Sequence, residues 1–458
     1  MANNIYRIGC ENMINQFSED FTLKRIIKFT LPSIIMMMFF SLYTIIDGIF
    51  ISNYVGTIAL GALNIIYPFQ CLCIGLSIMI AAGGSAIVAK KLGENENHRA
   101  KSLFTMFIAL EITIAIIVLA FGIIFKNQIV DLLGASDLQR PYALRYYIIY
   151  LSFLPFIFLQ NAFQTLFVTA GKPKLGLFLI ILAGIINILL DYLFLGVVHM
   201  SIEGAAFGTV IACMIPSCVG LLYFTFNRNG ILYFVKFKFD FKNIKDALIN
   251  GSSEMVTNLA NAITTFLFNM QCMKFYGEDG VAAITIVLYF QFLFSAIFFG
   301  YSTGIAPVMS FKFGSGNKKQ LRYIYSRSLI LVLIISIIGF IASHFLIYPV
   351  SSLFAGSGSN VYNIVIDNFK YYSLSLLLFG TSIFASSYFT SLGNGIVSAV
   401  ISFSRTILFL TISLIVLPLL FKELGIWISV PVAESIGVVV SIICFVKYKR
   451  KYLFYSED

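Results

Sequence analysis

Charge is what this sequence has least of. Of its 458 residues 11% are Asp, Glu, Lys or Arg and 59% are apolar, where a soluble domain carries about 25% charged residues. That balance excludes a soluble globular chain. Histidine occurs only as His98, His199 and His344, near the ends of apolar runs in separate parts of the chain. A histidine-based metal centre or nucleophile–base pair has nothing to build on, which argues against an intramembrane enzyme. No GxxxxGK phosphate loop is present, so ATP-driven pumping by this chain alone is not expected. The seven cysteines (Cys10, Cys71, Cys73, Cys213, Cys218, Cys272, Cys444) show no metal-ligand spacing and read as small apolar packing residues. The first 24 residues are polar and lack a short apolar core followed by a small-residue cleavage site, so no removable signal peptide is expected.

What is present is a series of apolar runs long enough to cross a bilayer, which takes about 20 residues as a helix. Twelve are expected, over 28–53, 58–90, 102–125, 141–170, 175–198, 204–227, 246–273, 281–311, 323–350, 361–392, 396–421 and 425–446. The predicted fold is all-α and polytopic, with Pro32, Pro68, Pro155, Pro216, Pro307, Pro418 and Pro431 inside helices and bending them. A net charge of +10 is here a topology signal and not a nucleic-acid signal, because the basic residues alternate by loop. The two ends and the even-numbered gaps hold 24 of the 31 Lys and Arg, which predicts that both termini face the cytoplasm of a multi-pass cell-membrane protein.

The sequence also repeats. Displaced by 221 residues, "GTIALGALNIIYPFQ" (56–70) falls on "GEDGVAAITIVLYFQ" (277–291), pairing Gly56/Gly277, Ala62/Ala283, Ile65/Ile286, Phe69/Phe290 and Gln70/Gln291; Gly83/Gly304, Lys91/Lys312 and Gly93/Gly314 continue the match. Two six-span halves follow, and because six is even they run parallel, related by a pseudo-two-fold axis along the membrane normal. The expected organisation is a cytoplasmic tail (1–24), an N-lobe (25–227), a basic and aromatic linker on the membrane surface (228–245), a C-lobe (246–446) and a basic tail (447–458). A binding cleft is expected between the lobes.

Taken together, "YTIIDGIFISNYVG" (43–56), "KLGENE" and its counterpart "KFGSGN", "IINILLDYLFLG" followed by "GAAFGT" (204–209), and "GIWISVPVAE" (425–434) resemble a multidrug and toxic compound extrusion (MATE) transporter, in particular the bacterial multidrug exporters. The resemblance runs through nearly the whole chain in order, each motif being weak alone and specific in combination.

Few ionisable residues lie deep in the spans, where an unpaired charge costs several kcal/mol. Asn187 and Asp191 sit at i and i+4 on one face of span 5. Alone they read equally well as interhelical packing. Asp47 in span 1 and Thr209 in span 6 add further oxygens from the same half, and a convergent set of this kind suits a hard cation such as sodium, or a shared proton. The resemblance implies a cation-linked cluster in the amino-terminal half at Asp47, Asn187, Asp191 and Thr209, with Tyr146 and Gln164 of span 4 as hydrogen-bonding neighbours. Glu254 in span 7 has no counterpart in the first half, and span 10 offers no acid to partner it. Arg405 and Glu434 lie at similar depth, and Arg405 reads as one half of a structural salt bridge, either with Glu434 or with Glu254. Glu111 has no motif support and reads as bonded to a neighbouring helix.

The 47 Phe and 24 Tyr include enough to line a cleft for planar cations, although most are expected to face lipid. Met36, Met37 and Met38 read equally as an adaptable pocket wall or as packing. The expected activity is export of cationic amphipathic compounds in exchange for Na+ or H+, by a monomer whose partners are small molecules and the bilayer, with no cofactor and no nucleic acid. A flippase for lipid-linked sugars is the alternative, disfavoured by the scarcity of basic residues beyond Arg405 and Arg145. An ion channel fits the unequal halves poorly.

Overall fold

The computed structural model describes residues 17–453. Arg7 and Cys10 at one end and the last five residues at the other lie outside the described residues. Each apolar run becomes a helix because a backbone in lipid must satisfy its own hydrogen bonds. In chain order these are α1 (Leu23–Tyr54), α2 (Thr57–Gly93), α3 (Asn97–Ile124), short α4 (Lys126–Leu132), α5 (Arg140–Ser152), α6 (Leu154–Thr169), α7 (Pro173–Asp191), α8 (Ile202–Phe226), α9 (Phe241–Tyr276), α10 (Glu278–Gly314), α11 (Lys318–Ala355), α12 (Asn360–Tyr372), α13 (Leu376–Ser391), α14 (Gly395–Phe403), α15 (Leu410–Phe421) and α16 (Glu423–Leu453). No strand occurs among the described residues. Spans 4, 10 and 11 are each two helices in tandem, and span 5 is α7 prolonged by a π-helical stretch, Tyr192–Val197.

Among the described residues ten helices are long and apolar enough to span a membrane, and the α5–α6 pair, bent by 59°, is an eleventh. The twelfth span, α9, is 36 residues long, about 54 Å of helix, but too polar to pass as apolar. Two of its amides donate to other helices: Asn250 Nδ2 to Thr390 O and Gln271 Nε2 to Leu414 O, at 2.8 and 2.9 Å. Pro155 corrects one expectation. It opens α6, where the missing N–H costs nothing, and so marks the bend in span 4 instead of lying inside a helix. Pro349 lies inside α11.

The internal repeat is written into the turns. Left-handed backbone occurs at Gly56 and Gly277, Asn95 and Gly316, Gly134 and Gly356, and Gly171 and Gly393, pairs 221 or 222 residues apart. The two halves therefore reverse direction by the same turn geometry, and the result is two six-span lobes.

The lobes meet chiefly along two repeat-related pairs, α1 with α10 and α2 with α9. At the end carrying the basic loops the backbones touch: a Cβ on Gly83 would strike Ala247 O, one on Gly251 would strike Met79 O, and Gly93 and Gly314 abut Phe311 O and Lys90 O. A segment preceding α1 reinforces this seal. Phe17 and Phe21 are buried, Phe17 stacking on Phe311 with ring centres 5.6 Å apart, and Phe21 N donates to Gln320 Oε1 at 3.1 Å. The buried Lys312 ammonium donates to Ser18 O and Glu19 O at 2.9 and 3.0 Å. Its repeat counterpart Lys91 pairs locally with Glu94 and Glu96.

Candidate functional site

The groups singled out in span 5 lie where α7 gives way to the π-helical stretch. Asp191 is the last residue of α7 and fully buried, and π-helical turns widen a helix locally and recur at functional sites. Gly184, Asn187 and Asp191 share one face. Gly184 receives the Tyr43 ring of α1, and one turn further along α1, Asp47 meets Asp191, the two carboxyl groups lying within interaction distance of each other. On the other side, a Cβ at Gly208 of α8 would overlap Asp191 Oδ1, so α8 approaches the carboxylate through a residue with no side chain. Thr209 follows directly.

Buried polar atoms in native proteins are rarely left without partners. The buried side-chain atoms without a partner include Asp47 Oδ1, both polar atoms of Asn187, both carboxylate oxygens of Asp191 and Thr209 Oγ1, together with others elsewhere in the protein such as those of Ser33, Glu111 and Ser336. Neither Asp carboxylate faces a Lys or Arg. Two carboxyl groups in contact without a counter-cation cannot both stay ionised at low cost. Among the described residues no group of three or more His, Cys, Asp and Glu forms a metal cluster; a cation here would draw on two carboxylates, an amide and a hydroxyl.

Tyr146 of α5 is buried within electrostatic reach of Asp47 and Asp191, and its hydroxyl accepts from Gln70 Nε2 at 3.2 Å. Gln164 lies elsewhere. Its Nε2 donates to Met37 Sδ at 3.3 Å, and Met37 is ten residues, about 15 Å of helix, before Asp47. The amide near the cluster is Gln160, one turn earlier, within interaction reach of Tyr43. The two glutamines face the same way along α6, and only the tilt of α6 against α1 decides between them. Met36 is fully buried against Gly176 of α7, hence a packing residue.

The C-lobe is built differently. Its span 11 also contains a π-helical stretch, Ser404–Phe409, but the residue there is Arg405, whose Nη1 donates to Glu434 Oε1 at 2.9 Å with both side chains buried. Glu254 on α9 stands within electrostatic reach of Arg405 and of no second acid. Thus, among the described residues, the Asp47–Asp191 pair has no Lys or Arg beside it, whereas Glu434 and Glu254 stand near Arg405. Glu111 is buried on α3 within interaction reach of Ser77 of the neighbouring α2, as expected for it, although its carboxyl oxygens make no hydrogen bond of full geometry among the described residues. Gln70, Tyr43, Gln160 and Gly208 were not legible as site residues, although Gln70 stood out as a repeat identity with Gln291.

The MatE family profile matches residues 32–193 and again 255–415, two matches of one profile in the two halves. The multidrug export protein MepA of Staphylococcus aureus is 20% identical over 427 residues, covering 93% of this chain and 94% of that protein, and MepA of Staphylococcus saprophyticus is 21% identical over 434 residues with the same coverage. Among solved structures, an outward-facing multidrug resistance MATE family transporter of the MOP superfamily superposes with a TM-score of 0.89 at 20% identity, covering 96% of this chain and 98% of the other. A MOP superfamily transporter from Pyrococcus furiosus, described as having a binding pocket of reversed polarity, gives 0.85 at 20% identity with the same coverage.

Proposed function

This chain belongs to the MatE family, and from that premise we propose that it is a secondary active multidrug exporter, moving cationic amphipathic compounds outward in exchange for inward sodium or protons. One observation carries the reading. Asp47 and Asp191 abut inside the N-lobe with no basic residue beside them, so the site is stable only when it takes up a proton or a small cation. Asn187, one turn before Asp191 on α7, and Thr209, next to Gly208 on α8, bring neutral oxygens on the helices that flank Asp191. An ion bound there holds α1, α7 and α8 together. Releasing it lets these helices part, and that differential affinity between two conformations is what couples ion entry to drug exit. In this reading the chain works as a monomer in the cell membrane, the basic loops and both termini face the cytoplasm, and the glycine-sealed end is the closed inner gate.

The test uses vesicles reconstituted with purified protein, loaded with ethidium and given sodium or pH gradients separately. Gradient-driven efflux should be lost in Asp191→Asn while ethidium binding persists, and Glu254→Gln should be impaired less completely. Normal coupled efflux by Asp191→Asn with a dead Glu254→Gln would move the coupling site to the C-lobe. Transport of anionic lipid-linked sugars with no effect on ethidium would replace the exporter by a flippase.

A further inference from the structure

The segment joining the lobes carries a cluster of positive charge that the ion site does not use. Residues 227–240, between α8 and α9, form no helix. At their centre the Tyr233 ring has two cations over it: Lys101 Nζ of α3 at 4.0 Å from the ring centre and the Arg228 guanidinium carbon at 5.2 Å. Bringing two like charges to one ring is unfavourable unless an anion shares the space. Among the described residues neither makes an ion pair with a carboxylate. The nearby acid, Asp240, is engaged by Arg99 at 3.8 Å and by Asn243, whose backbone it caps. Arg228 spends one donor on Phe234 O, at 2.6 Å. Beside these groups lies an open cavity of about 780 Å³, lined by Thr105, Arg228, Phe234, Val235, Lys236 and Phe237.

Its surroundings identify the anion's source. Phe226, at the end of α8, is 75% exposed, and Phe239 and Phe241 are 62% and 78% exposed and stacked on one another. Large aromatics bare of protein contacts beside basic residues are the pattern of a bilayer interface, with rings among the upper acyl carbons and cations at the phosphates. A soluble phosphate would gain nothing from these rings. We propose that Lys101, Arg228 and Lys236, organised by Tyr233, form a headgroup site for an anionic phospholipid in the leaflet on the side of the basic loops, with Phe239 and Phe241 seated beside its chains. Because the site joins α3 of one lobe to the linker entering α9 of the other, a bound lipid touches both.

The test places a reporter at the proposed chain level, Phe239→Trp in the full-length protein. The native Trp427 is fully buried and gives a constant background. Reconstituted into phosphatidylcholine vesicles containing equal small fractions of brominated phosphatidylglycerol or brominated phosphatidylcholine, the new tryptophan should be quenched more by the anionic lipid. Each charge removed by Lys101→Gln, Arg228→Gln or Lys236→Gln should lower that preference about fivefold. Tyr233→Leu, which keeps every charge and removes the ring that gathers them, should lower it as well. Equal quenching by the two lipids overturns the site, and an unchanged preference in Tyr233→Leu overturns it in favour of diffuse surface attraction. Displacement of the anionic lipid by millimolar inorganic phosphate or by an acidic peptide would assign the site to a soluble anion or a protein.

Discussion

At the scale of single residues the proposed ion site is defined as much by an absent side chain as by the charged ones. Gly208 gives Asp191 its room on the α8 side. Gly208→Ala changes no charge and favours the helix, since alanine is the better helix former by about 1 kcal/mol. Its methyl group, however, competes for space with Asp191 Oδ1. Expression and detergent stability are expected to hold while ion-driven efflux falls about tenfold, within the range of a coupling free energy of roughly 1–3 kcal/mol. Parallel thermal-shift and vesicle-efflux measurements check this, and full coupled transport by the variant would show that Asp191 does not work in the pose described. Arg405 and Glu434 make the complementary case: a salt bridge for Arg405 was expected because a buried charge needs a partner, and of the two candidates, Glu254 and Glu434, it is Glu434 that pairs with it at 2.9 Å.

At the scale of elements the segment ahead of α1 behaves as a strap across the sealed end. It is tethered to α1 by rings, Phe17 and Phe21 each packing edge-on against Phe29, and to the C-lobe by Lys312 and Gln320. Opening this end requires the strap to leave one lobe, exposing Phe311 and stripping two carbonyls from a buried ammonium. Charge-assisted bonds of this kind contribute about 1.5–3 kcal/mol each. Lys312→Met keeps the length and apolar stem but not the donors, so it should shift the population toward the state open at this end. A cysteine at Ser33, which is buried against Gly300 and Gly304, reports on it in a cysteine-free background. Its reaction with a soluble maleimide should be faster in Lys312→Met, and an unchanged rate would mean that the strap does not gate this end.

At the scale of the whole molecule, orientation is the quantity most exposed to test. With 24 of 31 basic residues at the two ends and in the even gaps, Ser315 belongs inside and Ser357 outside. In intact cells a membrane-impermeant thiol reagent should label Ser357→Cys and spare Ser315→Cys. The reverse pattern would invert the molecule and make the glycine-sealed end its outer gate.

The sequence by itself determined the number and order of the spans, the two-lobe repeat and the residue types of the candidate site. These depend on local runs of apolar residues, on turn positions recurring every 221 or 222 residues, and on the rarity of acids in lipid. Legibility stopped where helices cross. Whether Gln160 or Gln164 approaches Tyr43 depends on the tilt of α6 against α1. That Glu111 meets Ser77 depends on which face α2 offers to α3, and that Gly208 makes room for Asp191 depends on how closely α8 packs on α7. The strap was invisible for the same reason, since Lys312 and Ser18 are 294 residues apart and nothing local to either records the other. Periodicity fixes which side of a helix a residue occupies, but only the packing of helices against one another decides what that side meets.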